Sequence, residues 1–184
     1  MINSITEWEI NVLLWIQEHI RVSFLTPVMQ FITSLGDKGF IWIMVCVFLI
    51  LFRKTRKIGI VAAVSLALNG LIVNLVLKTR IMRIRPFILE EQLELITQIP
   101  NDYSFPSGHT SAAFATAVIL FMGLPKRIGI PAMVLAVFMG LSRLYVGVHF
   151  PTDVLAGALI GILAAMFTWY FFKKYIFKDL QKLQ

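Results

Sequence analysis

Charge is scarce in this sequence. Of its 184 residues only 15% are Asp, Glu, Lys or Arg, where a soluble domain of that length carries about a quarter. A water-soluble globule is therefore not expected. Cysteine is scarcer still. Cys46 stands alone inside an apolar run, so no internal disulfide can form and no cysteine-based metal spacing exists. Gly/Ser/Pro linkers, low-complexity tracts and clear internal repeats are lacking too, and one domain over residues 1–184 is expected. The opening "MINSITEWEI" has neither a basic start nor a clean apolar core, so a cleaved signal peptide is not expected.

Apolar residues are abundant: 58% of the chain is hydrophobic, with mean hydropathy +0.81. Five runs read as membrane helices, about 39–52, 57–77, 107–123, 128–147 and 151–172, since a spanning helix needs roughly 20 apolar residues. The first is short. Ahead of it, "ITEWEINVLLWIQEHI" sets Trp8, Val12, Leu13 and Ile16 against Glu7, Glu9, Gln17 and Glu18, a pattern that suits a helix lying at the membrane interface. "LTPVMQFITSLG" reads as a second short helix stopped by Gly36. The expected fold is all-α: a polytopic transmembrane helical bundle with about five spans over 37–175, preceded by amphipathic helices in 1–36.

The formal net charge is +7. Its bases sit between apolar runs, so membrane orientation and anionic lipid account for them, and nucleic acid is not an expected partner. "RKTRK" (Arg53 to Lys57), "PKR" (Pro125 to Arg127) and the "KKYIFK" that follows the last run fall on one face if the chain alternates sides. Positive charge in short loops marks the cytoplasm, which puts the C-terminus there and sends the segments 78–106 and 148–150 outward. Yet "KTRIMRIRP", Lys78 to Pro86, packs four strong bases into nine positions on that outward side. Topology does not ask for them there, so they serve something else.

The outward face holds three polar segments, in loops spanning 78–109 and 142–153. Pro106, Ser107 and Gly108 can be a plain helix-opening turn; with His109 in the first turn, they also make a ready anion site. Arg143 lies 16 residues past Arg127, roughly 24 Å along a helix, which places it at the outer end of its span. It either snorkels to head groups or is paired and functional. Pro151 favours the first helical position, so Asp153 falls in the first turn of the last helix with His149 just before it. The carboxylate can then accept from one imidazole nitrogen and leave the other free to attack. Cations (Lys78, Arg85, Arg143), helix-terminal donors (Ser107, Gly108), two imidazoles and one carboxylate form an inventory suited to phosphoryl transfer. Cations and backbone donors hold the equatorial oxygens, one imidazole attacks phosphorus, and the other protonates the leaving oxygen. Glu90, Glu91 and Glu94 read as the polar face of a short loop helix in "FILEEQLELI". No outward carboxylate cluster has metal-ligand spacing, so neither a metal nor any other cofactor is expected.

At these residues the sequence resembles the type 2 phosphatidic acid phosphatase superfamily of membrane lipid phosphatases, related to vanadium haloperoxidases. The family signature is carried here by Lys78 with Arg85-Pro86, then Pro106-Ser107-Gly108-His109, then Ser142-Arg143 with His149 and Asp153. Each part alone is weak; together, in order and spacing, they are specific. The resemblance implies His149 as nucleophile, Asp153 as its orienting partner and His109 as general acid. Lys78, Arg85, Ser107, Gly108 and Arg143 would bind phosphate without a metal. Many members have six spans, one more than expected here. Arg80 and Arg83 fall outside the signature; contact with lipid head groups is one use open to them.

A site at the outer surface flanked by apolar helices implies a lipid phosphate with its tail in the bilayer and no obligatory protein partner; the resemblance, to short bacterial members of the family, implies a bacterial cell membrane and the candidate lipids. Undecaprenyl diphosphate is the favoured substrate, with phosphatidylglycerol phosphate and phosphatidic acid as alternatives. A phosphotransferase using another lipid as acceptor, and a transporter lined by the same residues, rank lower. Movement of residues 87–105 over the site is left open.

Overall fold

A computed structural model describes residues 4–180, with side chains described to residue 174. The elements are α1 (Ser4–His19), α2 (Leu25–Leu35), a 3-10 turn (Asp37–Gly39), α3 (Phe40–Leu51), α4 (Arg56–Gly70) continued by a π-helical stretch (Leu71–Leu77), α5 (Lys78–Ile81), α6 (Pro86–Leu89), α7 (Gly108–Gly123), α8 (Lys126–Tyr145) and α9 (Pro151–Leu180). No strand forms among the described residues. The exposed faces of α3 and α9 carry Phe40, Ile43, Phe48, Leu155, Leu159, Leu163 and Phe167, an apolar exterior that only a lipid solvent tolerates at this density. The chain is an all-α, multi-pass membrane bundle.

Helix α7 is its axis. Ala113, Ala115, Ala117, Thr116 and Ile119 have no exposed surface. Small residues let neighbouring backbones approach closely, which is how helices associate where lipid removes the hydrophobic drive. On α9, Gly157 and Gly161 meet α7 directly. A Cβ on Gly157 would lie 2.7 Å from the Ser107 carbonyl oxygen, and one on Gly161 would run into the Ser111 carbonyl. Buried polar groups add to the grip: Ser65 Oγ donates to the Ala115 carbonyl at 2.8 Å, and Asn69 donates to Ser111 at 3.1 Å.

All five expected runs are helical, but length and composition support three membrane-spanning helices among the described residues, or four if α2 and Asp37–Leu51, bent by 51° at the turn, make one span. Helix α7 falls short because it has 16 residues, about 24 Å against a hydrocarbon thickness of about 30 Å. Protein surrounds it, so it need not match the bilayer. The turn between α2 and α3 is tight, with Lys38 and Gly39 left-handed at φ 52° and 74°. The second run is not uniform either: its last seven residues widen into a π-helix, directly ahead of Lys78, a form that recurs at functional sites.

Two further expectations are corrected. Glu9 does not lie on a polar face of α1. It is wholly buried beside Ile10 and Leu13, while Trp8 is exposed, because Glu9 meets a cation supplied from residue 83. Nor do Glu90, Glu91 and Glu94 share a helix: α6 ends at Leu89, and Glu90 is extended at φ −133°. The Glu90 carboxylate instead accepts from the Gln92 N–H at 3.1 Å.

The basic loops gather at one end. Ile58, two residues into α4 past Arg56, fills the space beside Gly123 at the foot of α7, so residues 53–57 and 125–127 are neighbours. Lys78, His109 and Arg143 stand at the opposite end of the same helices.

Gly161→Ala should separate α9 from α7 and lower stability by about 1–3 kcal/mol, as overpacking does. Gly70→Ala, whose added methyl meets nothing closer than 4.0 Å, should be neutral. Thermal unfolding of the two variants in detergent checks this; equal melting temperatures would contradict the packing account.

Candidate active site

Each chemical group is carried to this end by a local device. Met82 closes α5 in the left-handed region at φ 49°, so the chain turns back at once. Arg85 is extended and Pro86 opens α6, as proline's fixed φ favours. Ser107 caps α7, its hydroxyl accepting from the Thr110 hydroxyl at 2.9 Å. Gly147 takes φ +80°, which bends the 146–150 loop and delivers His149 ahead of Pro151. Across the bundle, the Ser107 N–H donates to the Asp153 carbonyl at 3.0 Å. That bond ties the second and third polar segments together.

A cavity of about 480 Å³ is lined by Lys78, Arg85, Asp102, Gly108, His109, Arg143 and His149. Residues from all three segments therefore face one space, with both imidazoles on it. Ser107 differs: it is wholly buried, its hydroxyl is turned to Thr110, and it is absent from the cavity wall.

His149 is held from both sides. Its Nδ1 lies 3.5 Å from Asp153 Oδ2, and its Nε2 lies 3.5 Å from an Arg85 nitrogen. Asp153 is locked in turn. Oδ2 accepts from Ser104 Oγ at 2.5 Å and from the Phe150 N–H at 2.9 Å, while Oδ1 accepts from Arg83 at 2.6 Å. Burial pushes the His149 imidazole down to about 3; the Asp153 hydrogen bond opposes the shift, and the Arg143 and Arg85 charges reinforce it. The ring is neutral at physiological pH, with a lone pair for Nε2 when Asp153 holds the proton on Nδ1.

The cations are arranged around an acid that composition gives no reason to single out. Asp102 pairs with Lys78 through Oδ2 and with Arg85 through Oδ1 at 2.6 Å. Arg85 also donates to the Asp102 carbonyl at 2.8 Å and to the Val148 carbonyl at 2.6 Å. Burial alone would raise the Asp102 carboxyl, but the hydrogen bond and charge of Lys78, joined by Arg85, outweigh it and hold it at about 2. Arg143 donates to Thr33 on α2. Its Nε is buried and has no hydrogen-bond partner. Trp42 Nε1 in the apolar core is unmatched too, but Arg143 also borders the cationic cavity. His109 Nε2 lies 3.0 Å from Asp37 Oδ1 on the 3-10 turn.

Arg83 has a different use from the head-group contact left open for it. It does not reach out to head groups: its guanidinium pairs with Glu9 and Asp153 and lies over the Phe150 ring, 3.9 Å from the centroid. The reversal at Met82 turns it inward. Arg80 stays exposed on α5. Asp37, Asp102, Ser104, Glu9 and Thr33 escape sequence reasoning because each meets its partner across a long separation in the chain. Only the short run "NDYSFPSGH" gives a hint, placing two of them just ahead of a recognisable helix start.

Clustered cations, an unmatched guanidinium donor and a neutral buried imidazole within an apolar bundle define a membrane enzyme that handles phosphate groups. Residues 58–177 match the family model of the PAP2 superfamily, and the chain belongs to that superfamily, the type 2 phosphatidic acid phosphatases. It is 37% identical over 141 residues to the undecaprenyl-diphosphatase of Sulfolobus acidocaldarius, across 77% of this chain and 68% of that one. It is 36% identical to phosphatidylglycerophosphatase B of Bacillus subtilis over 157 residues, 78% of this chain and 73% of that one. Among solved structures it is similar to the crystal structure of Aquifex aeolicus LpxE, with TM-score 0.77 and 32% identity over 87% of this chain and 93% of that one. The chain is a membrane lipid phosphatase.

Histidine ¹⁵N NMR in detergent should show His149 neutral down to about pH 4, with a midpoint near 3. Because this lies below the ordinary value of about 6.5, the neutral ring's contribution to stability is complete above pH 6.5 and is lost as pH falls toward 3. A midpoint near 6.5 would remove the account of its neutrality.

Proposed function

We propose that this chain hydrolyses a lipid diphosphate, undecaprenyl diphosphate to undecaprenyl phosphate, through a phosphohistidine on the extracytoplasmic side of a bacterial cytoplasmic membrane. The observation that carries the lipid substrate is a second cavity of about 730 Å³, lined by Ile43, Val47, Ile50, Leu66 and Val73 from α3, α4 and the π-helix. It shares Lys78, Asp102, Gly108 and His109 with the cationic cavity. An apolar channel that opens into a phosphate-binding pocket suits a molecule with a hydrocarbon tail and a charged head.

The chemistry follows from the side chains. The terminal phosphate of the substrate displaces the Asp102 carboxylate from Lys78 and Arg85 and meets the Arg143 guanidinium at the cavity wall. Its oxygens also face the α7 N-terminus at Gly108. His149 Nε2 attacks phosphorus, the bond from phosphorus to the bridging oxygen breaks, and undecaprenyl phosphate leaves with His109 donating a proton. Burial and the Arg143 charge push the His109 imidazole down to about 3; Asp37, 3.0 Å from its Nε2, opposes that shift and favours the protonated ring. His109 then takes a proton from water, which attacks the phosphohistidine and releases inorganic phosphate. Asp153, facing Nδ1, stabilises the charge that His149 carries in the intermediate. Lys78, Arg85 and Arg143 supply the positive charge that a metal supplies elsewhere, so no metal or cofactor takes part.

Sidedness rests on the basic loops 53–57 and 125–127, which lie at the end away from the site and mark the cytoplasm. The C-terminus, outside the described residues, belongs on that side by the same count of crossings. Phosphatidylglycerol phosphate is the second reading, favoured by the likeness to the Bacillus subtilis phosphatidylglycerophosphatase.

Purified protein in EDTA should release phosphate from undecaprenyl diphosphate faster than from phosphatidylglycerol phosphate or phosphatidic acid in matched micelles. His149→Ala should abolish turnover while the protein stays folded, and Asp153→Asn should slow it. A faster rate on phosphatidylglycerol phosphate would transfer the assignment to the second reading, and sustained turnover in His149→Ala would remove the nucleophile.

A further inference from the structure

We propose that Glu9, on the N-terminal helix, is a positioning residue for the hydrolysis. It acts through Arg83 on the carboxylate of Asp153, and the proposal rests on the reading of His149 as the nucleophile. The helix that carries it precedes the matched region, which begins at residue 58, so no role for Glu9 follows from the family match.

Glu9 is a fully buried carboxylate. Such a group is tolerated only when its charge is compensated and its lone pairs are filled. Both oxygens are in use. Oε1 accepts from the Thr152 N–H at 3.0 Å and from the Thr152 hydroxyl at 2.6 Å; Oε2 accepts from Arg83. Thr152 is the second residue of α9, so its N–H is one of those that the helix cannot satisfy internally. Glu9 therefore caps, from another helix, the turn that carries Asp153, and negative charge is favourable at that terminus.

Arg83 is the link. One guanidinium nitrogen donates to Asp153 Oδ1 at 2.6 Å and to Thr152 Oγ1 at 2.7 Å, and the other goes to Glu9. The Phe150 ring fixes its plane. The cation is thus shared between two carboxylates. Without Glu9 it would pair with Asp153 alone and draw that carboxylate's charge away from the His149 ring. With Glu9, the Glu9–Arg83–Asp153 group carries one net negative charge, which stabilises the positive charge that His149 acquires when it takes up phosphorus. The effect falls on the chemical step, because none of these three side chains lines the cavity that receives the phosphate.

Glu9→Gln keeps the size and an acceptor for Thr152 but removes the charge. Its kcat should fall between about 10-fold and 100-fold, the range into which loss of one charge-assisted hydrogen bond converts, with KM within about twofold. The same substitution in an Asp153→Asn background should cost nothing further, since both act on the same imidazole. Arg83→Lys keeps a cation that cannot span both carboxylates, and it should repeat the kcat loss if Glu9→Gln does not fold. A multiplicative loss in the double variant, or a loss confined to KM or to melting temperature, would overturn the proposal and leave the nucleophile assignment standing. Full activity in Asp153→Asn alone would instead bring down the reading on which it rests.

Discussion

Lys78, Arg85 and Arg143 repel one another, and the bundle nevertheless buries all three around one small space. Everything at this end of the molecule answers to that constraint. Asp102 bridges Lys78 and Arg85, Thr33 and the Val148 carbonyl take further donors, and the Arg143 Nε is left over. An unmatched buried donor costs about 1–3 kcal/mol. Such concentrated positive charge is poorly suited to stability and well suited to an anion whose charge grows during reaction. Asp102 is half-exposed, whereas the side chains of Lys78 and Arg85 that it bridges are almost wholly buried.

The rigid part of the site is what lies behind the imidazole. Asp153 opens α9, Ser107 opens α7, and the two helices are drawn together by glycines on one and small residues on the other. The N–H of Ser107 reaches the Asp153 carbonyl because the backbones approach that closely. Helix packing deep in the apolar region thereby sets the geometry of a polar site at its end. Helix α1 extends this support from a direction that the membrane helices do not supply, bringing a buried acid to the outer side of the same carboxylate.

Much of this was legible in the sequence because the signature residues sit at helix ends. Pro86, Ser107 and Pro151 announce those ends by their own conformational preferences, so the spacing of charged residues around them translates into position. The partners that complete the site were not legible. Asp102, Asp37 and Glu9 are polar residues in unremarkable surroundings, and each is defined by a contact 17 to 74 residues away. For Arg83 the sequence offers head-group contact, the ordinary use of a surplus cation; a single left-handed residue, Met82, sends it inward instead. The count of five spans is not matched by length and composition alone, for a different reason. A length rule describes helices that face lipid, whereas α7 faces protein and is free to be short.

The account turns on one covalent step at one atom. Rapid acid-free quenching of the enzyme during turnover of lipid diphosphate, followed by mass spectrometry under conditions that preserve phosphoramidates, locates the phosphoryl group directly. The account predicts phosphorylated His149, present in Asp153-intact protein and absent once substrate is exhausted. A phosphoryl group on His109, or turnover through an enzyme that never carries one, would contradict it.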